Sequence, residues 1–372
     1  MGEQTAQASE ALLAQRMGRL RAAVALEKPD RVPLSLVMDA FAAKTTGVRL
    51  ADFVKDVDLA GRAMLSTMEM LGDVDSIQHA TFTPEVAGLL WLSPLKLPGR
   101  DLPEDSMWQV DEQVRVLPED YDRILEMGWS SWFGQYIDKY LGASVVAAQA
   151  LGEAAPRWIP EYTKRGYVVF APFAVDHPFE HLCGGRSVKE FMLDLYRMPD
   201  KVQAVLDVMM AETREQARQA VRSNGPLGHW VGSWRTAPEF LAPRLWDRFV
   251  WPYLKELVEI VVEEGAIPVL HFDANWDREL PRLLELPKAT CVLALDSKTD
   301  IFKAKKILDG HMCLLGDVPP ALLSLGTPDQ VHAYCQRLLT EVGPAGFIMA
   351  QGCDIPFDAK FENVKAMVDS VQ

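Results

Sequence analysis

Apolar residues along this chain fall into two alternating patterns. Short runs, most of them β-branched or aromatic, stand at Val32–Met38, Val74–His79, Tyr167–Pro172, Gly228–Gly232, Ile267–Phe272, Cys291–Asp296, Met312–Gly316 and Gly346–Ala350. Continuous apolar runs of this length predict strands buried on both faces. Longer helical patterns separate them. Ser187-x-x-Glu190, Thr236-x-x-Glu239 and Thr327-x-x-Gln330 have the spacing of capping boxes, and Pro328 suits a first helical position. Pro243–Glu264 reads as one long helix closed by Gly265, with acidic residues on its solvent face.

Eight strands, each followed by helical sequence, predict an α/β protein of the (β/α)8 TIM-barrel type. The alternative is a doubly wound open sheet. That fold needs a glycine-rich phosphate turn after its first strand, and Met38-Asp39-Ala40-Phe41 is not one. The absence of GxxxxGK[ST] excludes a P-loop. Thr81–Arg165 is far longer than one crossover. Residues 81–165 are therefore expected to form an insertion between strands 2 and 3 near the barrel mouth, with an irregular hairpin and extra helices. Residues 1–26 are expected to be an N-terminal helical extension, and 1–372 a single barrel domain.

Charge and cysteine content narrow the function. With 38 Lys+Arg against 52 Asp+Glu, the formal net charge is −14, which opposes nucleic acid and anionic membrane surfaces. No apolar stretch is long enough for a transmembrane helix, and Met1–Arg16 lacks an apolar signal core. A cytoplasmic protein is expected. Cys183, Cys291, Cys313, Cys335 and Cys353 include no CxxC pair, which excludes a disulfide framework, a thioredoxin-like site and a zinc ribbon. A mononuclear metal site drawing on one cysteine stays open.

Barrel chemistry sits at the C-terminal ends of the strands. Just past the apolar runs stand Asp39, His79, Asp176-His177, Gly232-Ser233-Trp234, His271-Phe272-Asp273, Asp296, Asp317 and Cys353-Asp354. His271 and Asp273 are two apart on a strand, so both point to one side. Taken alone, the pair also fits a helix-capping Asp beside a packed His. Cys353 follows Gly352, a residue that permits close backbone approach, whereas Cys291, Cys313 and Cys335 fit small core residues. Asp317, ahead of Val318-Pro319-Pro320, also suits a helix N-cap. His177 and His181 have the spacing of a helical metal pair, but Pro178 between them points to a mobile loop. Trp230, Trp234 and Trp276 fall near strand ends, where they could wall an aromatic substrate or serve as core.

Four segments carry a family resemblance: Gly184–Arg197 with Met198-Pro199-Asp200, Pro268–Trp276, Leu315–Pro328 and Pro98–Glu112. From about Glu27 onward the chain resembles the uroporphyrinogen decarboxylase superfamily, and Pro98–Glu112 looks like its branch of cobalamin (corrinoid)-dependent methyltransferases. The resemblance implies a (β/α)8 barrel. True decarboxylases of the superfamily carry an N-terminal Arg-x-x-Gly-Arg segment for substrate carboxylates, and no such pair follows the first strand here. The methyltransferases bind zinc through His-x-Cys and a distant Cys. By that likeness His271, Asp273 and Cys353 are expected metal ligands, with Asp273 standing where the family has Cys. A harder donor set suits polarising oxygen.

The implied function is methyl transfer between a small substrate, favoured as a methoxylated aromatic undergoing O-demethylation, and the cobalt of a separate corrinoid protein. Asp39, Asp176 and His271 are the expected catalytic groups, Asp296 and Asp317 the expected cofactor-side groups. Cobalamin is expected from the partner. The pattern Asp-x-His-x-x-Gly of corrinoid carriers begins at Asp309-Gly310-His311 but ends on Leu314. A uroporphyrinogen-type decarboxylase and a non-catalytic corrinoid-binding module are the alternatives.

Overall fold

The computed structural model describes residues 3–225 and 227–372. Its strands are β1 (Ser35–Leu36), β2 (Ser76–Ile77), β3 (Leu95–Lys96), β4 (Gln109–Val110), β5 (Val168–Val169), β6 (Phe173–Val175), β7 (Gly228–Ser233), β8 (Ile267–Phe272), β9 (Val292–Leu295), β10 (Cys313–Val318) and β11 (Phe347–Gln351). One parallel sheet has the order β1-β2-β5, and another β11-β10-β9-β8-β7-β6. They meet at both edges. The Met349 N–H donates to the Pro33 carbonyl at 2.8 Å beside a parallel bridge from Leu34. The Gly228 N–H donates to Phe170 at 2.8 Å. The parallel strands thus run round a ring, as in a (β/α)8 barrel.

The apolar run at Tyr167–Pro172 continues through Val175 as two pieces, β5 and β6. Pro172 has no N–H to give the ladder, so pairing stops there and resumes. β1 and β2 are also shorter than their apolar runs. Pro33 limits the first on one side, and the helix Asp39–Thr45 on the other.

Between β2 and β5 lie the antiparallel hairpin β3–β4 and the helices Pro118–Met127, Trp129–Tyr140 and Gly142–Thr163. The N-terminal helix Glu3–Val24 seals one end of the ring. Its Leu20, Ala23 and Val24 pack with the lumen residues Val269, Val292, Cys313 and Ile348. Arg16 and Arg19 are buried with it, and Asp75, fully buried, accepts from Arg19, Arg31 and the Leu34 N–H at 2.8–2.9 Å.

Three local expectations are corrected. Pro178 starts a helix, Pro178–Arg186, instead of preventing one. At the first helical position its missing N–H is not needed, and His177 Nδ1 accepts the Phe179 N–H at 3.1 Å. Pro243–Glu264 is two helices, Pro243–Phe249 and Trp251–Glu263, because Pro252 cannot continue the hydrogen-bond ladder. Thr236 caps no helix: its hydroxyl and N–H bind Glu180. Thr327 and Gln330 do form a reciprocal capping box, and Ser187 accepts from Glu190 N–H.

Candidate metal and acid–base site at the strand ends

His271 lies on β8, and its hydrophobic neighbours place it facing the lumen, where Trp230 of β7 stacks on its ring at 4.6 Å. Asp273 follows β8 by one residue. Its loop is held from both sides. Trp276 Nε1–H donates to the Asp273 carbonyl at 2.8 Å, and Asp296 accepts the Ala274 N–H at 2.8 Å. Cys353 follows β11, and Gln351 Nε2–H donates to its carbonyl at 2.6 Å. A Cβ at Gly352 would come within 2.9 Å of the Asp296 carbonyl oxygen, so the chain can turn toward β8 there only as glycine.

These constraints bring three donors together. Asp273 Oδ1 is 3.1 Å and Cys353 Sγ 3.6 Å from the same atom, His271 Nε2, and all three ligand atoms lie within 4.8 Å of one another. Ligand–ligand edges in a tetrahedral zinc site with bonds of about 2.0–2.3 Å are roughly 3.3–3.7 Å. The nitrogen, oxygen and sulfur set therefore fits one zinc ion. Burial disfavours an imidazolium at His271, but the Asp273 carboxylate and Cys353 sulfur outweigh it and push the ring up to about 10. A cation is thus favoured where these atoms converge: a proton on Nε2, or a metal in its place.

Below the cluster is a small enclosed cavity lined by Gln78, Trp230, His271 and Gln351. The side-chain oxygens of Gln78 and Gln351 are buried there without hydrogen-bond partners. Above it, a 680 Å³ cavity opens between Glu239, Asp273, Asn275, Asp296, Lys298 and Cys353. The donors stand between the packed lumen and this cavity.

A second group forms on the adjoining strand ends. Asp39, first in its helix, contacts His79 Nε2 through Oδ1 at 2.6 Å. The Asp39 N–H donates to Asp354 Oδ1 at 3.1 Å, which ties the pair to the residue after Cys353. Burial, and next the charge of Asp39, push the Asp354 carboxyl up. His79 stacks on Phe82, which meets Trp108 from the segment between β2 and β5. His79 was legible as a strand-end residue, but its pairing with Asp39, 40 positions away, was not.

The other expected site residues are placed differently. Asp176 does not join His271; it lines a separate cavity with Trp129 and His181. Asp317 is buried and accepts from the Tyr334 hydroxyl at 2.8 Å, and the helix that follows starts only at Pro320 with no side-chain cap. Asp296 borders the upper cavity, with its two oxygens taken by the Ala274 and Lys298 amides. Trp230 belongs to the site. Trp276 is fully buried on Phe272, and Trp234 leans on Trp91. Cys183, Cys291, Cys313 and Cys335 are buried; Cys353 is half-buried.

A ring of parallel strands with polar donors at their C-terminal ends defines the class: a (β/α)8-type barrel with a site at its mouth. The sequence profile of the Uroporphyrinogen decarboxylase (URO-D) family matches residues 168–372, and the chain belongs to that family. It is 25% identical over 200 residues to a uroporphyrinogen decarboxylase of Coxiella burnetii, a match covering 52% of this chain and 54% of that one. With a uroporphyrinogen decarboxylase of Anaeromyxobacter dehalogenans it shares 29% over 189 residues, covering 50% and 52%. The chain thus spans about half the length of the curated relatives it matches. A methyltransferase from Methanosarcina mazei is similar in structure, with a TM-score of 0.69, 17% identity, and coverage of 95% of this chain and 96% of that one. That likeness establishes the fold alone. No described helix is long and apolar enough to cross a membrane.

Proposed function

We propose that this protein is a corrinoid-dependent methyltransferase that moves a methyl group between a small substrate, in our reading a methoxylated aromatic, and the cobalt of a separate corrinoid protein. The observation that carries this reading is the convergence of His271, Asp273 and Cys353 at the barrel mouth. A zinc ion held by these residues would supply Lewis acidity toward the substrate heteroatom. The nitrogen–oxygen–sulfur set is harder than one with two thiolates, which favours an oxygen leaving group.

The chain's own residues do the rest. Trp230 and the Gln351 amide fix the His271 ring and the Cys353 backbone. Phe82 and Trp108 offer aromatic faces beside His79. When the methyl carbon–oxygen bond breaks, its electron pair stays on oxygen and the methyl group passes to the partner's corrinoid. In this reading His79, whose Nε2 meets Asp39 Oδ1, is the residue that gives that oxygen its proton.

Decarboxylation of a porphyrinogen fits the cavity less well. Around the mouth Glu239, Asp273 and Asp296 oppose Lys298 alone, and a substrate with many carboxylates needs cationic partners. A purely corrinoid-binding module would have no use for three convergent metal donors. The deciding experiment incubates the protein with a reduced corrinoid protein and a methoxyarene. Release of the phenol supports the reading. Turnover of uroporphyrinogen, with no demethylation of any methoxyarene, would overturn it.

A further inference from the structure

A cavity of 510 Å³ lies between the helices Trp129–Tyr140 and Pro199–Asn224 and the end of β6. It shares no lining residue with the cavities around His271 and Asp273. One wall is aromatic: Trp129 stacks on Phe133 at 5.0 Å, and both rings tilt against His181. Its titratable groups are Asp176 and His181; Ser130, Thr213 and Gln216 also line it, and the Ser130 hydroxyl accepts from the Gln216 amide at 3.2 Å. The imidazole is nine-tenths buried, and its Nδ1 has no hydrogen-bond partner. The carbonyls of Leu89 and Leu90 act on the ring, and in the neutral tautomer protonated on Nε2 the Nδ1 presents a lone pair. Apart from His181, no charged group bears on the Asp176 carboxyl.

Beside these hydroxyls and the amide, the cavity offers acceptors and electron-rich ring faces, and among the described residues no arginine or lysine lines it. The buried His181 Nδ1, left unpaired, carries a desolvation cost. Burial accordingly pushes the Asp176 carboxyl up and the His181 ring down, toward their uncharged forms. A ligand with N–H donors and positive charge would satisfy both acceptors and lie favourably over Trp129 and Phe133. An alcohol or phenol brings one donor and no charge. A carboxylate brings only acceptors and no positive charge to hold Asp176 ionised.

We propose that this cavity binds a small organic ammonium ion with N–H donors and an aromatic or apolar body, at a site distinct from the strand-end cluster. Asp176 pairs with the ammonium group, His181 Nδ1 accepts a second N–H, and Trp129 and Phe133 cover the body.

Calorimetric titration of the full chain with benzylammonium, benzyl alcohol and benzoate tests this. Benzylammonium should bind saturably, benzyl alcohol about tenfold or more weakly, and benzoate not at all. Asp176→Asn should weaken benzylammonium by about tenfold or more while leaving benzyl alcohol little changed. Thr213→Trp, which fills the cavity from its rim, should abolish binding of both and serves if Asp176→Asn fails to fold. Cys353→Ser should leave benzylammonium binding intact, which separates this site from the proposed metal centre. Equal affinity for benzyl alcohol and benzylammonium, no saturable binding of benzylammonium, or retention of its affinity in Thr213→Trp would overturn the proposal.

Discussion

Cys353 Sγ lies 3.6 Å from His271 Nε2, across 82 residues of chain and from β11 to β8 of the ring. Nothing local to either residue requires that approach. It follows from ring closure, from the glycine at 352 and from the Gln351 amide that holds the Cys353 carbonyl. Asp273 completes the cluster at the same nitrogen.

The first prediction concerns metal content. Purified protein should carry zinc by elemental analysis, and Cys353→Ser should lower both metal content and methyl transfer by about 100-fold. Cys291→Ser, in the core, should change neither. Active wild-type protein free of zinc would leave His271 and Asp273 as a hydrogen-bonding pair and end the metal assignment.

The second separates proton delivery from metal binding. His79→Gln and Asp39→Asn should each reduce kcat by about 10²-fold or more with zinc content unchanged. Substrates whose leaving phenol is more acidic should be affected less, because their oxygen needs the proton less. Equal losses for all leaving groups would point to a structural role for the pair.

The third is a pH dependence of stability at Asp317. Burial, opposed by the Tyr334 hydroxyl, pushes this carboxyl up to about 7. The unfolded chain titrates at about 4. Between those values the folded protein binds the extra proton, so stability falls as pH rises through the window and is lowest above 7. Asp317→Asn keeps an acceptor for Tyr334 and removes the charge. It should stabilise the protein by on the order of 2 kcal/mol at pH 8, with a smaller gain at pH 5, read from urea midpoints.

The fourth addresses the sealed end of the barrel. Asp75 is fully buried between Arg19 and Arg31 and also accepts the Leu34 N–H. Asp75→Ala would remove the buried acceptor shared by Arg19, Arg31 and the Leu34 N–H, leaving Arg19 its pair with Asp30 and Arg31 its pair with Asp73, and should cost about 2–4 kcal/mol, seen as a lower denaturant midpoint. Replacing the exposed Asp309, which pairs with Lys305, should change stability by less than about 1 kcal/mol.

Strand periodicity, together with the polar residue that ends each strand, was present in the sequence itself. Burial on both faces leaves a composition signature that needs no knowledge of neighbours, so the run at Ile267–Phe272 coincides with β8 residue for residue. His271-x-Asp273 was legible for the same reason: two residues apart on a strand share a side. Local rules failed where a tertiary partner decided the outcome. Thr236 carries a capping pattern, yet Glu180 claims its hydroxyl and N–H. Asp176 and Asp39 both follow strands, and sequence treats them alike. Only the packed helices send Asp176 to a separate cavity beside His181 and Asp39 to His79. Periodicity specifies which way a side chain points along its own strand. Which groups meet is fixed by the closure of the ring and by the helices laid against it, contacts between residues tens of positions apart that no local pattern encodes.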